Sequence, residues 1–232
     1  YQARELASSH RVLNLDLRGH GDSGPAESPC TFDDLVDDVV TVLDHFEIER
    51  AVWCGLSIGG MTAMHAALEV PDRVEALVIA DSSAAAEPWR KRLKYRLMAS
   101  ALKVVGMRRM MPSVVPIMFG RTTLREQPDL VGEWSERMAS MHQPSLLNLL
   151  DCLMQRPSLL GELPEVRAPT LVLVGEEDRS QPPARWRQIA AAIPGAELTV
   201  IPEAGHLSAL EQPEAVTEVI RDFLLDNVRS GA

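Results

Sequence analysis

Short apolar runs recur along the chain at Arg11–Asp16 (RVLNLD), Ala51–Cys54, Val74–Ala80 (VEALVIA), Thr170–Val174 (TLVLV) and Glu197–Ile201. Their branched and leucine-rich make-up, bounded by polar or glycine-containing turns, predicts strands. Between them lie stretches with helical spacing. Thr31 to Phe46 carries the stripe Leu35, Val36, Val39, Val42, Leu43 and Phe46, with Thr31 as N-cap and Asp33 and Asp34 in the first turn. Helices are also predicted over Ala184–Ile193 and Pro213–Leu225. Nearly all-apolar strands alternating with helices predict an α/β fold whose mostly parallel sheet is covered on both faces.

The strand–helix alternation stops between Glu87 and Leu163. That stretch reads as several helices broken by Pro112, Pro116, Pro128, Pro144 and Pro157. The expected organisation is a core over residues 1–86, a helical insertion over 87–163, and a second part of the core over 164–232. An insertion at this point in an α/β core is where a lid over a site would lie.

The stretch Ala51 to Glu69 (AVWCGLSIGGMTAMHAALE) organises the rest. Its order is strand, tight turn, helix, with Ser57 at the apex of Gly55-Leu-Ser-Ile-Gly59. Glycines on either side allow a sharp reversal and a close approach of neighbouring backbone. The turn exposes the Ser57 hydroxyl beside the first amide of a helix, that of Ile58, which would stabilise an oxyanion. The alternative is a glycine-rich turn whose serine merely caps the helix.

A nucleophilic serine needs a base, and the base needs an orienting acid. His206 lies in the loop directly after the Glu197–Ile201 run, on the same sheet rim as Ser57, where ligands bind in open α/β sheets. His45 and His65 fall within helices, His10 lies at the wrong end of its strand, and His20 sits in a glycine-rich turn on the right rim. Asp178 follows the Thr170–Val174 run and is the expected acid. Asp81, ending the Val74–Ala80 run, competes as a backup because it lies on the neighbouring strand. The expected triad is Ser57, Asp178 and His206, in the chain order Ser, Asp, His.

Charge and composition narrow the partners. A net charge of −10 argues against nucleic acid. No apolar run reaches the ~18 residues of a membrane span, and no signal peptide opens the chain. Three cysteines make no disulfide framework, and Cys54 falls in a strand predicted to be buried, so a reducing, cytoplasmic compartment is expected. No metal-ligand spacing and no dinucleotide or Walker signature is present, so no cofactor and no metal are expected. Homo-oligomerisation is left open. Arg90 to Arg109 holds eight Lys or Arg residues. The favoured reading is a solvated outer face of the lid. The other is a positive rim for an acidic substrate or an anionic lipid surface. For a substrate pocket the lid offers Trp134, Met138, Met118 and His142, joined from the core by Leu207.

Several motifs together carry a resemblance. They are Asp16-Leu-Arg-Gly-His-Gly-Asp-Ser23, Cys54-Gly-Leu-Ser-Ile-Gly-Gly-Met61, Gly175-Glu-Glu-Asp178, and Gly205-His206 with Leu207, Glu211 and Pro213. The chain resembles the α/β-hydrolase superfamily, in particular the small bacterial capped branch of 3-oxoadipate enol-lactonases, esterases and cofactor-free haloperoxidases. The resemblance implies hydrolysis of a small carboxylic ester or lactone through an acyl-enzyme. Alternatives on the same triad are a C–C bond hydrolase, a perhydrolase or haloperoxidase-like activity, or acyl transfer to another acceptor. Outside catalysis the alternative is a binding protein with an idle triad. Two features depart from the family. Its upstream strands and the His-Gly loop that gives a second oxyanion amide are absent from the sequence. The opening Tyr1–Ser9 reads as the tail of a helix, a chain entered part-way, so that donor is expected upstream of Tyr1. Asp81 also stands where enol-lactonases tend to have an amide or another residue.

Overall fold

The computed structural model describes residues 1–228. Its elements run α1 (Gln2–Leu6), α2 (Phe32–His45), β1 (Ala51–Leu56), α3 (Ile58–Glu69), β2 (Val74–Ala80), α4 (Trp89–Val105), α5 (Met107–Met118), α6 (Arg121–Glu126), α7 (Pro128–Ser140), α8 (Gln143–Gln155), β3 (Thr170–Gly175), α9 (Pro183–Ala192), β4 (Glu197–Ile201), α10 (Ser208–Glu211) and α11 (Pro213–Asn227). The strands form one sheet in the order β1-β2-β3-β4, every pair parallel. All four C-terminal ends therefore share one rim.

Period-2 alternation sends side chains to two separate cores. Leu77, Ile79, Val172 and Val174 pack with Leu35, Met64, Trp186 and Ile189 of α2, α3 and α9. Ala76, Val78, Leu171 and Leu173 pack with Val216, Ile220 and Phe223 of α11. Helix α2 starts as its sequence dictates: the Thr31 hydroxyl accepts from Asp34 N–H, and the Asp34 carboxylate accepts from Thr31 N–H at 2.7 Å.

Several expectations are corrected. Arg11–Asp16 forms no strand, because among the described residues no segment lies alongside to supply ladder hydrogen bonds. Leu13 and Leu17 still lean on the core, while Leu15 is exposed. Cys54 is exposed rather than buried. It shares its face of β1 with Val52 and Leu56, and the helix covering that face, α11, packs on β3 and β4. Pro112 and Pro116 lie inside α5 instead of breaking it. Spaced one turn apart, they leave the Arg108 and Pro112 carbonyls without an intrahelical donor on a single side of the helix. Pro128 and Pro144 open α7 and α8, where a missing N–H costs nothing, and Pro157 follows the end of α8.

Candidate active site

Each of the four strands ends by delivering one polar residue to the common rim: Ser57 after β1, Asp81 after β2, Asp178 in the loop after β3 and His206 after β4. Ser57 has φ 52° and ψ −109°, a backbone state that ordinary residues avoid, held between the end of β1 and the start of α3. Its N–H donates to Ala80 C=O at 2.8 Å and its carbonyl accepts from the Ser82 hydroxyl at 2.7 Å. Only glycine fits at position 55, since a Cβ there would run into the Gly59 backbone. Ile58 N–H opens α3, among the amides that a helix start leaves without an intrahelical acceptor.

Ser57 Oγ lies 3.0 Å from His206 Nε2, and His206 Nδ1 lies 2.9 Å from Asp178 Oδ2. The other Asp178 oxygen accepts from Ser180 and Gln181 N–H at 2.7 and 3.0 Å, which fixes the carboxylate from behind. Both His206 and Asp178 are buried. Burial opposes charging of the imidazole, but the hydrogen bond and negative charge of Asp178 outweigh it. The His206 pKa is held above its ordinary 6.5.

The histidine loop is itself held by a carboxylate. Glu211, fully buried in α10, accepts from Gly205 N–H at 2.9 Å and Leu207 N–H at 3.1 Å, and its other oxygen accepts from Gly120 N–H at 2.8 Å. His206 N–H donates to Met118 C=O at 3.0 Å, so the end of α5 is tied to the same loop.

Asp81 does not take the place of Asp178, because both His206 ring nitrogens are occupied by Asp178 and Ser57. Its oxygens face elsewhere: one accepts from Gly175 N–H at 2.8 Å, the other from Ser208 N–H and hydroxyl at 3.1 and 2.6 Å. It is fully buried, and burial pushes its pKa up to about 7. Asp81 thus fastens the ends of β3 and α10 to the end of β2. Asp81→Ala is expected to cost about 1–3 kcal/mol by stranding those buried donors. Relief of a buried acid keeps the figure from being larger. Urea melts at pH 7 read it, and an unchanged midpoint would show that the carboxylate holds nothing.

The sequence-proposed pocket residues separate. A groove of about 710 Å³ is lined by Leu56, Leu130, Trp134 and Leu207, so it adjoins the chain neighbours of Ser57 and His206. Trp134 is set edge-on against Phe119 at 5.3 Å between centroids. Met118, Met138 and His142 are not among its lining; His142 lies 2.9 Å from the Ser145 hydroxyl through Nδ1. Another cavity, of about 590 Å³, lies by Asp44, Arg50 and Arg73 at the opposite ends of β1 and β2. His20 is half-buried in its loop, and its shielded Nδ1 has no partner among the described residues. His65 stacks on Phe32 and bonds Glu69 at 2.9 Å. With Asp33 these two bring donor atoms within 4.8 Å of one another, close enough for a metal ion, but at the far end of α3 from Ser57.

A model of the alpha/beta hydrolase family matches residues 1–219. The chain belongs to the alpha/beta hydrolase family. Among solved structures, an esterase from Thermogutta terrifontis is 30% identical with a TM-score of 0.93, the match covering 98% of this chain and 84% of the esterase. The enol-lactonase of Burkholderia xenovorans LB400 is 29% identical with a TM-score of 0.87, covering 97% of this chain and 84% of that one. 3-Oxoadipate enol-lactonase 2 of Acinetobacter baylyi is 27% identical over 212 residues, 90% of this chain and 76% of the relative.

One part of this alpha/beta hydrolase has no signature in its sequence. Glu87, just before α4, is buried and accepts from Arg156 at 2.7 Å and from Arg185 at 3.1 and 3.2 Å, with Lys91 Nζ at 3.4 Å from it. Arg156 follows α8 and Arg185 lies in α9. Both ends of the α4–α8 segment are therefore clamped to the core through one carboxylate.

Proposed function

We propose that the chain is a serine hydrolase that cleaves small carboxylic esters or lactones through an acyl-enzyme on Ser57. The observation that carries this reading is the unbroken run from Asp178 Oδ2 to His206 Nδ1 and from His206 Nε2 to Ser57 Oγ, at 2.9 and 3.0 Å. His206 takes the Ser57 proton as Oγ attacks the carbonyl carbon, and the carbonyl π electrons move onto the oxygen. The Ile58 amide donates to that oxyanion. The tetrahedral species collapses with loss of the alkoxide, which His206 protonates. Water then gives its proton to His206, attacks the acyl carbon and releases the acid, and Ser57 Oγ regains the proton. Asp178 keeps the imidazole in the required tautomer and stabilises its charged form. Helices α4–α8 act as a cap, and the groove by Leu56, Trp134 and Leu207 takes the acyl or ring portion. Relatives that are esterases and enol-lactonases support the ester and lactone class.

The test is a panel of p-nitrophenyl esters of increasing acyl length beside lactones of several ring sizes, with kcat/KM followed against pH. His206 must be neutral to act as base, and a raised pKa moves the loss of activity upward in pH. The acid limb is expected to have its midpoint above 6.5, and Asp178→Asn, which removes the larger raising partner and leaves only the charge of Asp81, to bring it down. Failure of every ester and lactone to turn over would defeat the reading. A limb in the ordinary carboxylate range would remove His206 as the base.

A further inference from the structure

Helix α4 exposes a face that water does not favour. Trp89, Leu93, Leu97 and Val104 are 64%, 50%, 65% and 83% exposed. At 3.6 residues per turn they fall within an arc of about 80°. The same geometry sets Arg92, Arg96 and Lys103 along one flank of that stripe, and Arg90 and Lys94 along the other. Leu102 and the half-buried Lys91 and Tyr95 point the other way, toward the protein, where Lys91 meets Glu87. Residues 89–125 contain ten Lys or Arg and no Asp or Glu, in a chain whose net charge is −10. Charge is unevenly spread: Arg90, Arg92, Lys94, Arg96 and Lys103 flank the exposed stripe with no acidic residue on their helix, while outside residues 89–125 the chain carries 33 Asp and Glu against 13 Lys and Arg.

We propose that the exposed face of α4 is a docking surface for an anionic lipid bilayer. Charge complementarity selects this occupant. Trp and Leu side chains enter the boundary between headgroups and acyl chains. The flanking Arg and Lys stems lie along the apolar layer with their charged ends at the phosphates. The acidic remainder of the molecule is repelled by the same surface, which turns α4 toward it. A second copy stacked through this face by two-fold symmetry would set one cation row against another. The surface does not depend on which substrate the Ser57 site takes.

The experiment is co-sedimentation of the full chain with vesicles of phosphatidylcholine alone and with a quarter phosphatidylglycerol, at low and high salt. Binding is expected to the anionic vesicles, at least about tenfold weaker to the neutral ones, and weakened by salt. Trp89 emission should shift to the blue on binding, and the shift should be absent in Trp89→Phe. Leu93→Ser/Leu97→Ser should lose binding. Arg92→Gln/Arg96→Gln/Lys103→Gln should lose about a hundredfold on anionic vesicles. All these sites are exposed, and circular dichroism and melting curves establish that each variant is folded. Equal binding to both vesicle types, no binding to either, or anionic binding that survives both sets of substitutions would each overturn the proposal. So would a concentration-dependent dimer that excludes vesicles and is lost in Leu93→Ser/Leu97→Ser, because a second copy would then cover the face.

Discussion

Ser57→Ala is expected to lower kcat on the best ester or lactone by about 10⁶-fold while leaving the protein folded. The size follows from the geometry. Without Oγ, His206 has nothing to deprotonate and no acyl-enzyme forms. The Ile58 amide and substrate binding survive, so a residual acceleration of about 10³ over water is expected to remain. Stability should barely change, because alanine at φ 52° bears the same backbone strain as serine and the bond from Ser82 to the residue 57 carbonyl is kept. The measurement pairs kcat with labelling by a fluorophosphonate, followed by mass. Wild type should gain one adduct on Ser57, and the variant none. A variant that keeps a hundredth of the wild-type rate, or labels as quickly, would take Ser57 out of the chemistry.

The meeting of Ser57, Asp178 and His206 was legible in the sequence for a simple reason. In a parallel sheet every strand end lies on one rim, so a serine, an aspartate and a histidine that each follow an apolar run must come near one another. What the pattern does not encode is where each side chain turns within the last few ångströms. Asp81 and Asp178 look alike as strand-end carboxylates, yet one meets the imidazole while the other is consumed by Gly175 and Ser208. A branched, leucine-rich run likewise encodes strand tendency and not pairing, so Arg11–Asp16 reads as a strand although among the described residues no segment pairs with it. Cys54 shows the same limit: its run is apolar, but the helix over that face packs chiefly on β3 and β4. Glu211 was visible only as part of a motif; its task of holding the Gly205 and Leu207 amides belongs to the folded loop. The clamp on Glu87 was beyond reach, since its partners lie 69 and 98 positions away in a sequence rich in unrelated charges.

That clamp supplies the largest stability effect. Glu87→Gln is expected to cost about 3–5 kcal/mol at pH 7, because it leaves buried cations without their carboxylate. The Arg156 and Glu87 side chains are 3% and 2% exposed, and Arg156 Nε already has no partner among the described residues. Solvent cannot relieve the loss. Burial alone would raise the Glu87 pKa, but the Arg156 hydrogen bond and the charges of Lys91, Arg156 and Arg185 outweigh it and hold the pKa below its ordinary 4.5. A depressed carboxylate pKa contributes stability that is fully present above 4.5 and is lost as pH falls through the folded value. The gap between wild type and Glu87→Gln should therefore be constant near neutrality and shrink in acid as wild-type Glu87 takes up its proton. Arg156→Met alone should cost less than Glu87→Gln, since Arg185 and Lys91 still neutralise the carboxylate. Paired with Glu87→Gln, it should recover part of that loss. Urea unfolding of the single and double variants from about pH 3 to 8 separates these outcomes. A Glu87→Gln protein as stable as wild type at pH 7, or a loss that grows in acid, would mean that packing rather than charge holds the two ends of the α4–α8 segment to the sheet.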